Sequence, residues 1–160
     1  MAKLSDLSFR HRIFMRTYRY RTYDWSPGAQ MRTPLGQANV AVVTTAALYL
    51  PGQKPFDERT RGGDYTYREI PRGVELETLK IGHRSDAFDP SGIQKDRNLA
   101  LPLDRLEEML SDGMIGRVNR RHFSFMGSIT APGRLIHRTA PEVAELLIDD
   151  KVDAVLLTPV

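Results

Sequence analysis

One histidine and two aspartates lie close together near the middle of the chain and could do acid–base or metal chemistry. His83 ends a short apolar segment, and Asp86 and Asp89 follow it in a polar stretch. Imidazole and carboxylate groups bind several metals, but this spacing does not match a helical pair of metal ligands. A loop in which the aspartates accept bonds from nearby backbone amides explains the same residues. Because His83 comes at a strand end, we favour a place for His83 and Asp86 in an active-site cleft, without a metal.

Four further polar residues are candidates to line or support the same cleft. Asp96 and Asp104 bracket an apolar stretch, where either substrate positioning or local capping explains them. His122 lies two residues before Ser124 on a predicted strand, so the two side chains share one face. The Gly-x-Ser-x-Gly elbow of many serine hydrolases is absent, which disfavours that chemistry. Thr158 lies near the end of the last predicted strand.

Alternating strands and helices position these residues. The patterns predict strands at 40–45, 65–71, 79–83, 115–125 with a leading turn, and 152–160. A helix is predicted at 103–110, and another begins with a capping box formed by Thr139 and Glu142. This order is typical of an α/β protein with a mostly parallel sheet and flanking helices, Rossmann-like or flavodoxin-like.

The last predicted strand bears on function most directly. Its run of apolar residues is typical of a strand that is buried on both faces in a parallel sheet. Ligand sites in such sheets lie just beyond the carboxyl ends of the strands. Val160 ends the chain at this point. We therefore expect a fold that is incomplete at its carboxyl end, with apolar surface exposed where a covering helix would follow.

Composition narrows the classes of protein. The chain has 160 residues, of which 41% are hydrophobic and 27% charged, as in ordinary globular domains. It has no cysteine, which excludes disulfides, thiolate nucleophiles and cysteine metal sites within these residues. No apolar run is long enough to cross a bilayer, and no secretory signal is apparent. A cytoplasmic protein without a membrane partner is the expectation.

Charge is unevenly distributed along the chain. The net charge is +3, yet residues 1–33 alone contain seven Lys or Arg and two Asp. We therefore divide the chain into a basic N-terminal arm at 1–36 and an α/β domain at 37–160. Arginines and aromatics interleaved at 16–25 could bind phosphates and stack on bases, but no nucleic-acid motif is present. An arm that lays its aromatics on the domain explains the same pattern, and nucleic acid is not the favoured partner.

Several segments, taken in order, resemble one known family. They are 63–71, His83 with Asp86, 95–98, 101–106, His122 with 124–127, Thr139-x-Pro141-Glu142, and 152–159. Each segment alone is weak, whereas their order and spacing over 38–160 are fairly specific. They resemble the selenoprotein B-type subunits of the glycine, sarcosine, betaine and D-proline reductases.

The resemblance implies a function and a place for the redox residue. These subunits carry a selenocysteine, or a cysteine in some relatives, immediately after the strand that matches 152–159. In the family it takes part in reductive cleavage of a carbon–nitrogen bond in a small amino-acid substrate. A pyruvoyl group on a partner subunit activates some substrates, and thiol reductants supply the electrons. The candidate supporting residues are His83, Asp86, Asp96, Asp104, His122 and Thr158, with no individual acid or base roles.

The chain departs from the family at its end. The catalytic residue is expected immediately after Val160, so none is expected within these residues and the chain alone is expected to be inactive. One hypothesis is that a selenocysteine codon was read as a stop. The alternative is a non-catalytic binding or scaffold protein of the same fold.

Overall fold

The structure is a computed structural model that describes residues 8–17, 24, 28–83 and 88–160. The chain divides into two compact units, Met1–Gln30 and Met31–Val160. Helix α1 (Phe9–Thr17) lies in the first unit, with Phe9 and Ile13 exposed. The second unit contains all the other elements. No helix in the described ranges is long and apolar enough to cross a membrane.

The second unit is built on a mixed, mostly parallel sheet. Its strands are β1 (Asn39–Thr44), β3 (Tyr67–Pro71), β5 (Arg117–Val118), β6 (Arg121–Phe125) and β7 (Ala154–Thr158). β1 is parallel to β5 and β6 at its two ends and to β7 over five residues, whereas β3 is antiparallel to β6. β2 (Leu48–Tyr49) and β4 (Lys80–Ile81) form a separate antiparallel pair. This arrangement confirms the predicted α/β fold class.

Helices pack on opposite faces of this sheet because successive side chains point alternately to one face and the other, and β1 is apolar on both. The helices are α2 (Ser91–Lys95), α3 (Leu103–Ser111) and α4 (Ala140–Asp149), with short 3₁₀ turns at Leu35–Gln37, Leu76–Thr78 and Arg97–Leu99. Val42 belongs to a core cluster with Leu106 of α3. Phe123 packs in another cluster with Val143 of α4. The flanking helices follow from this alternation.

The last strand pairs as predicted but is exposed. β7 runs parallel to β1, from Ala154 opposite Val40 to Thr158 opposite Thr44. It lies next to β1 at the end of the sheet, and Leu157 remains 67% exposed. The prediction that this strand is buried on both faces is therefore wrong for the described residues, although its apolar composition is typical of a buried strand.

Three local predictions need correction. The strand predicted at 79–83 is reduced to Lys80–Ile81, and the strand predicted within 115–125 is interrupted between β5 and β6. The capping box is wrong. The Thr139 hydroxyl makes no cap and donates instead to the Tyr65 carbonyl at 2.6 Å, because the helix begins earlier, with a π-helical turn at Leu135–Thr139.

Candidate functional site at the carboxyl edge of the sheet

The carboxyl ends of β1, β6 and β7 meet at one edge of the sheet, and Thr45 joins them. The Thr45 carbonyl accepts from the Gly127 amide at 2.8 Å, beyond the end of β6. The Thr45 amide donates to the Thr158 carbonyl at 3.2 Å, at the end of β7. The Thr45 hydroxyl accepts from the Val160 amide at 2.9 Å. One residue therefore fixes the backbone that leaves both neighbouring strands.

The short β4 strand brings His83 to this edge. The amide of Gly82 donates to the Ala47 carbonyl at 2.9 Å, so the chain after β4 runs beside the chain after β1. The His83 ring is half-buried and stacks on Phe88, with 4.1 Å between ring centroids. Burial lowers the pKa of His83 below its ordinary value, so the imidazole is predominantly neutral at pH 7.

Gly127 allows the His83 ring to approach the strand ends. A Cβ at Gly127 would lie 2.6 Å from His83 Nε2, 3.2 Å from the Thr45 carbonyl oxygen and 3.3 Å from the Val160 carbonyl oxygen. A contact of 2.6 Å is too short for any side chain, so an alanine would displace its neighbours. We call Thr45, His83, Gly127 and Val160 the carboxyl-edge site.

Two non-glycine residues with positive φ border this site. Ala47 has φ 54° and follows β1, and Ser128 has φ 54° and follows Gly127. The left-handed region costs an alanine or a serine about 1 kcal/mol. Such conformations cluster at functional sites, where surrounding contacts hold them. The backbone around the carboxyl-edge site is therefore held in a shape that its residues do not favour.

Thr158 anchors β7 beside the site. Its hydroxyl donates to the Ala100 carbonyl at 2.7 Å, which ties the strand end to the segment before α3. The structure thus brings His83 and Thr158 to the same edge. Asp86 lies outside the described residues.

The other predicted site residues lie elsewhere in local structure. Asp96 is exposed and accepts from the Asn98 amide at 2.9 Å, capping the 3₁₀ turn. The Asp104 backbone amide donates to Asn98 Oδ1 at 3.1 Å, and the Asp104 carboxylate accepts from the Asn98 side-chain amide at 2.8 Å. These contacts favour the capping explanation for Asp96. For Asp104, whose carboxylate bonds the Asn98 side chain inside the first turn of α3, they favour a local structural role without a cap.

His122 is fully buried inside the sheet. Its Nδ1 accepts from the Val42 amide at 3.0 Å, in the interval where β1 passes from β5 to β6. The imidazole thus takes the place of a backbone carbonyl in the ladder, and its proton must lie on Nε2. Burial lowers the pKa of His122 to about 4. The hydrogen bond from the Val42 amide indicates a structural role for His122.

The sequence pattern did not predict that Thr45 joins the strand ends or that Gly127 allows the His83 ring to approach them. Small residues after β1 and a glycine after a predicted strand were visible signals, because both permit close backbone approach. Their convergence on His83 depends on the β2–β4 pair, whose two-residue strands carry no periodic pattern. Among the described residues, no three His, Asp or Glu side chains are grouped so that they could hold a metal.

Comparison with known proteins identifies the family. Residues 2–160 match the family described as glycine/sarcosine/betaine reductase selenoprotein B. The chain belongs to this family. The match includes the four residues of the carboxyl-edge site and all the described strands.

Curated relatives of this selenoprotein B family chain are subunits of reductase complexes. The chain is 29% identical to the D-proline reductase subunit gamma of Acetoanaerobium sticklandii, over 84% of this chain and 52% of that protein. It is 32% identical to the betaine reductase complex component B subunit beta of Peptoclostridium acidaminophilum, over 78% of this chain and 28% of that protein. The glycine reductase complex component B subunit gamma of the same organism is 29% identical, over 82% and 30%.

The chain therefore spans about half the length of one of these relatives and less than a third of the other two. No solved structure gives a significant match.

Proposed function

We propose that this chain is part of a B-type subunit of a reductase complex that cleaves a carbon–nitrogen bond. The substrates are of the glycine, betaine, sarcosine or D-proline type. The match over residues 2–160 supports this proposal most directly, together with relatives named as subunits of such complexes. The other subunits of the complex are the proposed partners.

The proposed redox residue is a selenocysteine or cysteine that follows Val160. The carboxyl edge of a parallel sheet suits it, because ligand sites form there. A helix beginning after the strand would stabilise a selenolate or thiolate through its N-terminal amides. The bond between Val160 and the Thr45 hydroxyl supports this position, because it fixes the backbone from which such a residue would continue.

The overall reaction takes up two electrons and two protons. The carbon–nitrogen bond breaks, its electron pair leaves with the amine, and a carbon–hydrogen bond replaces it. A dithiol supplies the electrons and becomes a disulfide. A pyruvoyl group on a partner subunit would activate glycine-type or D-proline-type substrates. A thiol reductant also favours the cytoplasm, where thiols stay reduced.

The test uses the native complex, purified through a tag on this subunit. Glycine, betaine, sarcosine and D-proline are each offered with dithiothreitol, and the released amine or the opened ring is measured. Mass spectrometry reads the peptide that contains Thr158 and the residues after Val160.

We expect cleavage of at least one substrate and a selenocysteine or cysteine next to Val160. A complex that cleaves none of the four would overturn the proposed activity. A subunit without a redox residue at that position would favour the non-catalytic scaffold.

A further inference from the structure

The imidazole at the carboxyl-edge site differs from the others whose side chains are described. His122 is enclosed in the sheet and bonded to the Val42 amide, and His137 lies exposed on the turn before α4. His83 alone of these three lies where parallel strands end. Of these three histidines, His83 is therefore the one whose ring can contact groups that lie beyond the end of β7.

The approach of His83 to the end of β7 follows from the Gly127 geometry. One point, the position of a Cβ on Gly127, is 2.6 Å from His83 Nε2 and 3.3 Å from the Val160 carbonyl oxygen. The ring nitrogen and that oxygen are therefore separated by no more than the sum of these two distances. The imidazole therefore lies near the carbonyl of Val160, which is the point from which a following residue would continue.

We propose that His83 carries a proton for the redox residue after Val160 and that Gly127 positions the His83 ring for this task. The inference rests on the proposed function, and it assigns an acid–base role that the sequence left open. His83 is the catalytic residue of this pair, and Gly127 acts through it.

The step moves one proton and no electrons. The selenium–hydrogen or sulfur–hydrogen bond breaks, and its electron pair stays on the chalcogen. The proton bonds to Nε2 of the neutral imidazole, whose own proton is then on Nδ1. The resulting imidazolium returns the proton to the amine nitrogen as the carbon–nitrogen bond breaks. His83 ends the cycle neutral, as it began.

The surroundings of His83 suit a proton carrier that starts neutral. Phe88 covers the ring, and burial lowers the pKa of His83. Gly127 presents its backbone to the ring, the Thr45 carbonyl lies close to Gly127, and Tyr49 packs close to Gly82. Arg84 and Asp86, the charged residues that follow His83, lie outside the described residues.

His83→Gln tests the proton transfer in the native complex, because glutamine retains a hydrogen-bonding nitrogen but does not titrate near neutral pH. We expect kcat to fall about 100-fold, the usual order for a lost acid–base group, with KM little changed and one limb of the pH profile lost. His137→Gln removes an exposed imidazole and is the matched control.

A second readout does not depend on turnover. In the cysteine form of the subunit, iodoacetamide alkylates the redox residue at a rate that follows its thiolate fraction. We expect His83→Gln to slow alkylation about tenfold at pH 6.5 and to leave the rate at pH 9 unchanged.

Gly127→Ala tests the positioning, with Gly133→Ala as control because no atom lies within 4 Å of a Cβ at that exposed glycine. Circular dichroism verifies that the Gly127→Ala protein is folded. The folded variant should show both the fall in kcat and the slower alkylation at pH 6.5 that are expected for His83→Gln. If Gly127→Ala does not fold, the results for His83→Gln alone decide whether His83 carries the proton.

An active complex in which His83→Gln keeps the wild-type pH and alkylation profiles would overturn the inference and leave the proposed function intact. A native complex without carbon–nitrogen cleavage, or without a chalcogen after Val160, would overturn both.

Discussion

At the residue scale, His122 shows how a histidine can complete a sheet. Its ring accepts the Val42 amide where the backbone partner of β1 changes from β5 to β6. The ring must remain neutral to accept this bond, and burial lowers its pKa to about 4. The histidine is therefore held in its neutral form through the neutral and mildly acidic range.

Stability should depend on pH through His122. In the unfolded chain a histidine titrates near pH 6.5, so between pH 6.5 and 4 the unfolded state binds the extra proton. The free energy of unfolding should then fall by about 3 kcal/mol as pH drops through this window. Urea denaturation at each pH measures it.

His122→Asn is the informative variant, because its amide oxygen can accept the Val42 bond without titrating. Asparagine should be less stable at pH 7, yet it should lose less stability than wild type between pH 6.5 and 4. Equal losses in both proteins would assign the pH dependence to other groups.

Arg68 uses its guanidinium to hold a loop. It donates to the carbonyls of Lys54, Pro55 and Tyr67 and to the Thr66 hydroxyl, at 2.7 to 3.0 Å. It also lies 4.2 Å over the Phe56 ring. Because the side chain is only 10% exposed, these contacts are shielded from water.

Arg68→Lys should lower the free energy of unfolding by about 3 kcal/mol, since lysine cannot satisfy several fixed acceptors at once. Arg105→Lys is the matched control, because Arg105 forms an exposed pair with Glu108 and should change stability by about 0.5 kcal/mol or less. Thermal denaturation of the two variants compares them. Similar losses in both would mean that the Arg68 contacts contribute little.

Their positions in the sequence predicted that His83 and Thr158 lie at strand ends, because each follows or ends an apolar segment. Asp96 and Asp104 have the same chemistry as catalytic carboxylates, but their partners are local amides. A sequence cannot separate these cases, since a capping aspartate and a catalytic one differ only in what lies opposite them.

At the element scale, α4 begins differently from its sequence signature. Thr139 and Glu142 have the spacing of a capping box, yet Thr139 is buried and bonded to Tyr65. A tertiary contact has replaced the local one. Strands with long apolar runs, such as β1, were predictable, and β4 lies within the strand predicted at 79–83. β2 and its pairing with β4 were not predicted, because that pairing is tertiary.

Thr139 could act through a capping box with Glu142 or through its bond to the Tyr65 carbonyl, and these two explanations predict different effects of substitution. Thr139→Val should lower the free energy of unfolding by about 1.5 kcal/mol, because it leaves the partly buried Tyr65 carbonyl without its donor. Glu142→Gln should change it by about 0.5 kcal/mol or less, since Glu142 makes no cap. Chemical denaturation distinguishes them, and a larger effect at Glu142 would restore the capping box.

At the scale of the whole molecule, the two edges of the sheet are held by different forces. The carboxyl edge depends on backbone bonds and on threonine hydroxyls, at Thr45 and Thr158. The amino edge depends on charge: Asp153 accepts from the Asn39 amide at 2.8 Å and from the Thr33 hydroxyl at 2.6 Å. These bonds hold the amino end of β7 in register with β1, and the proposed site lies at the opposite, carboxyl end of β7.

Asp150 is the centre of the amino edge. Its carboxylate accepts from Asn119, Arg120 and Arg121, and only 2% of its side chain is exposed. Hydrogen bonds from these partners keep the pKa of Asp150 well below its ordinary value, against the opposing effect of burial. Its backbone carbonyl accepts from the Asn39 side chain, so the network joins α4 to the start of β1.

Asp150→Asn should therefore destabilise the fold by about 3 kcal/mol, because it leaves the half-buried Arg121 guanidinium with only its longer ion pair to Glu69, at 3.4 Å. Asp149→Asn, at the exposed neighbouring position, should change stability by about 0.5 kcal/mol or less. Hydrogen exchange locates the effect: amides of β7 should exchange faster in Asp150→Asn, while those of α3 change less. Uniform acceleration in both elements would mean that Asp150 stabilises the domain as a whole and does not specifically hold the strand that leads to the site.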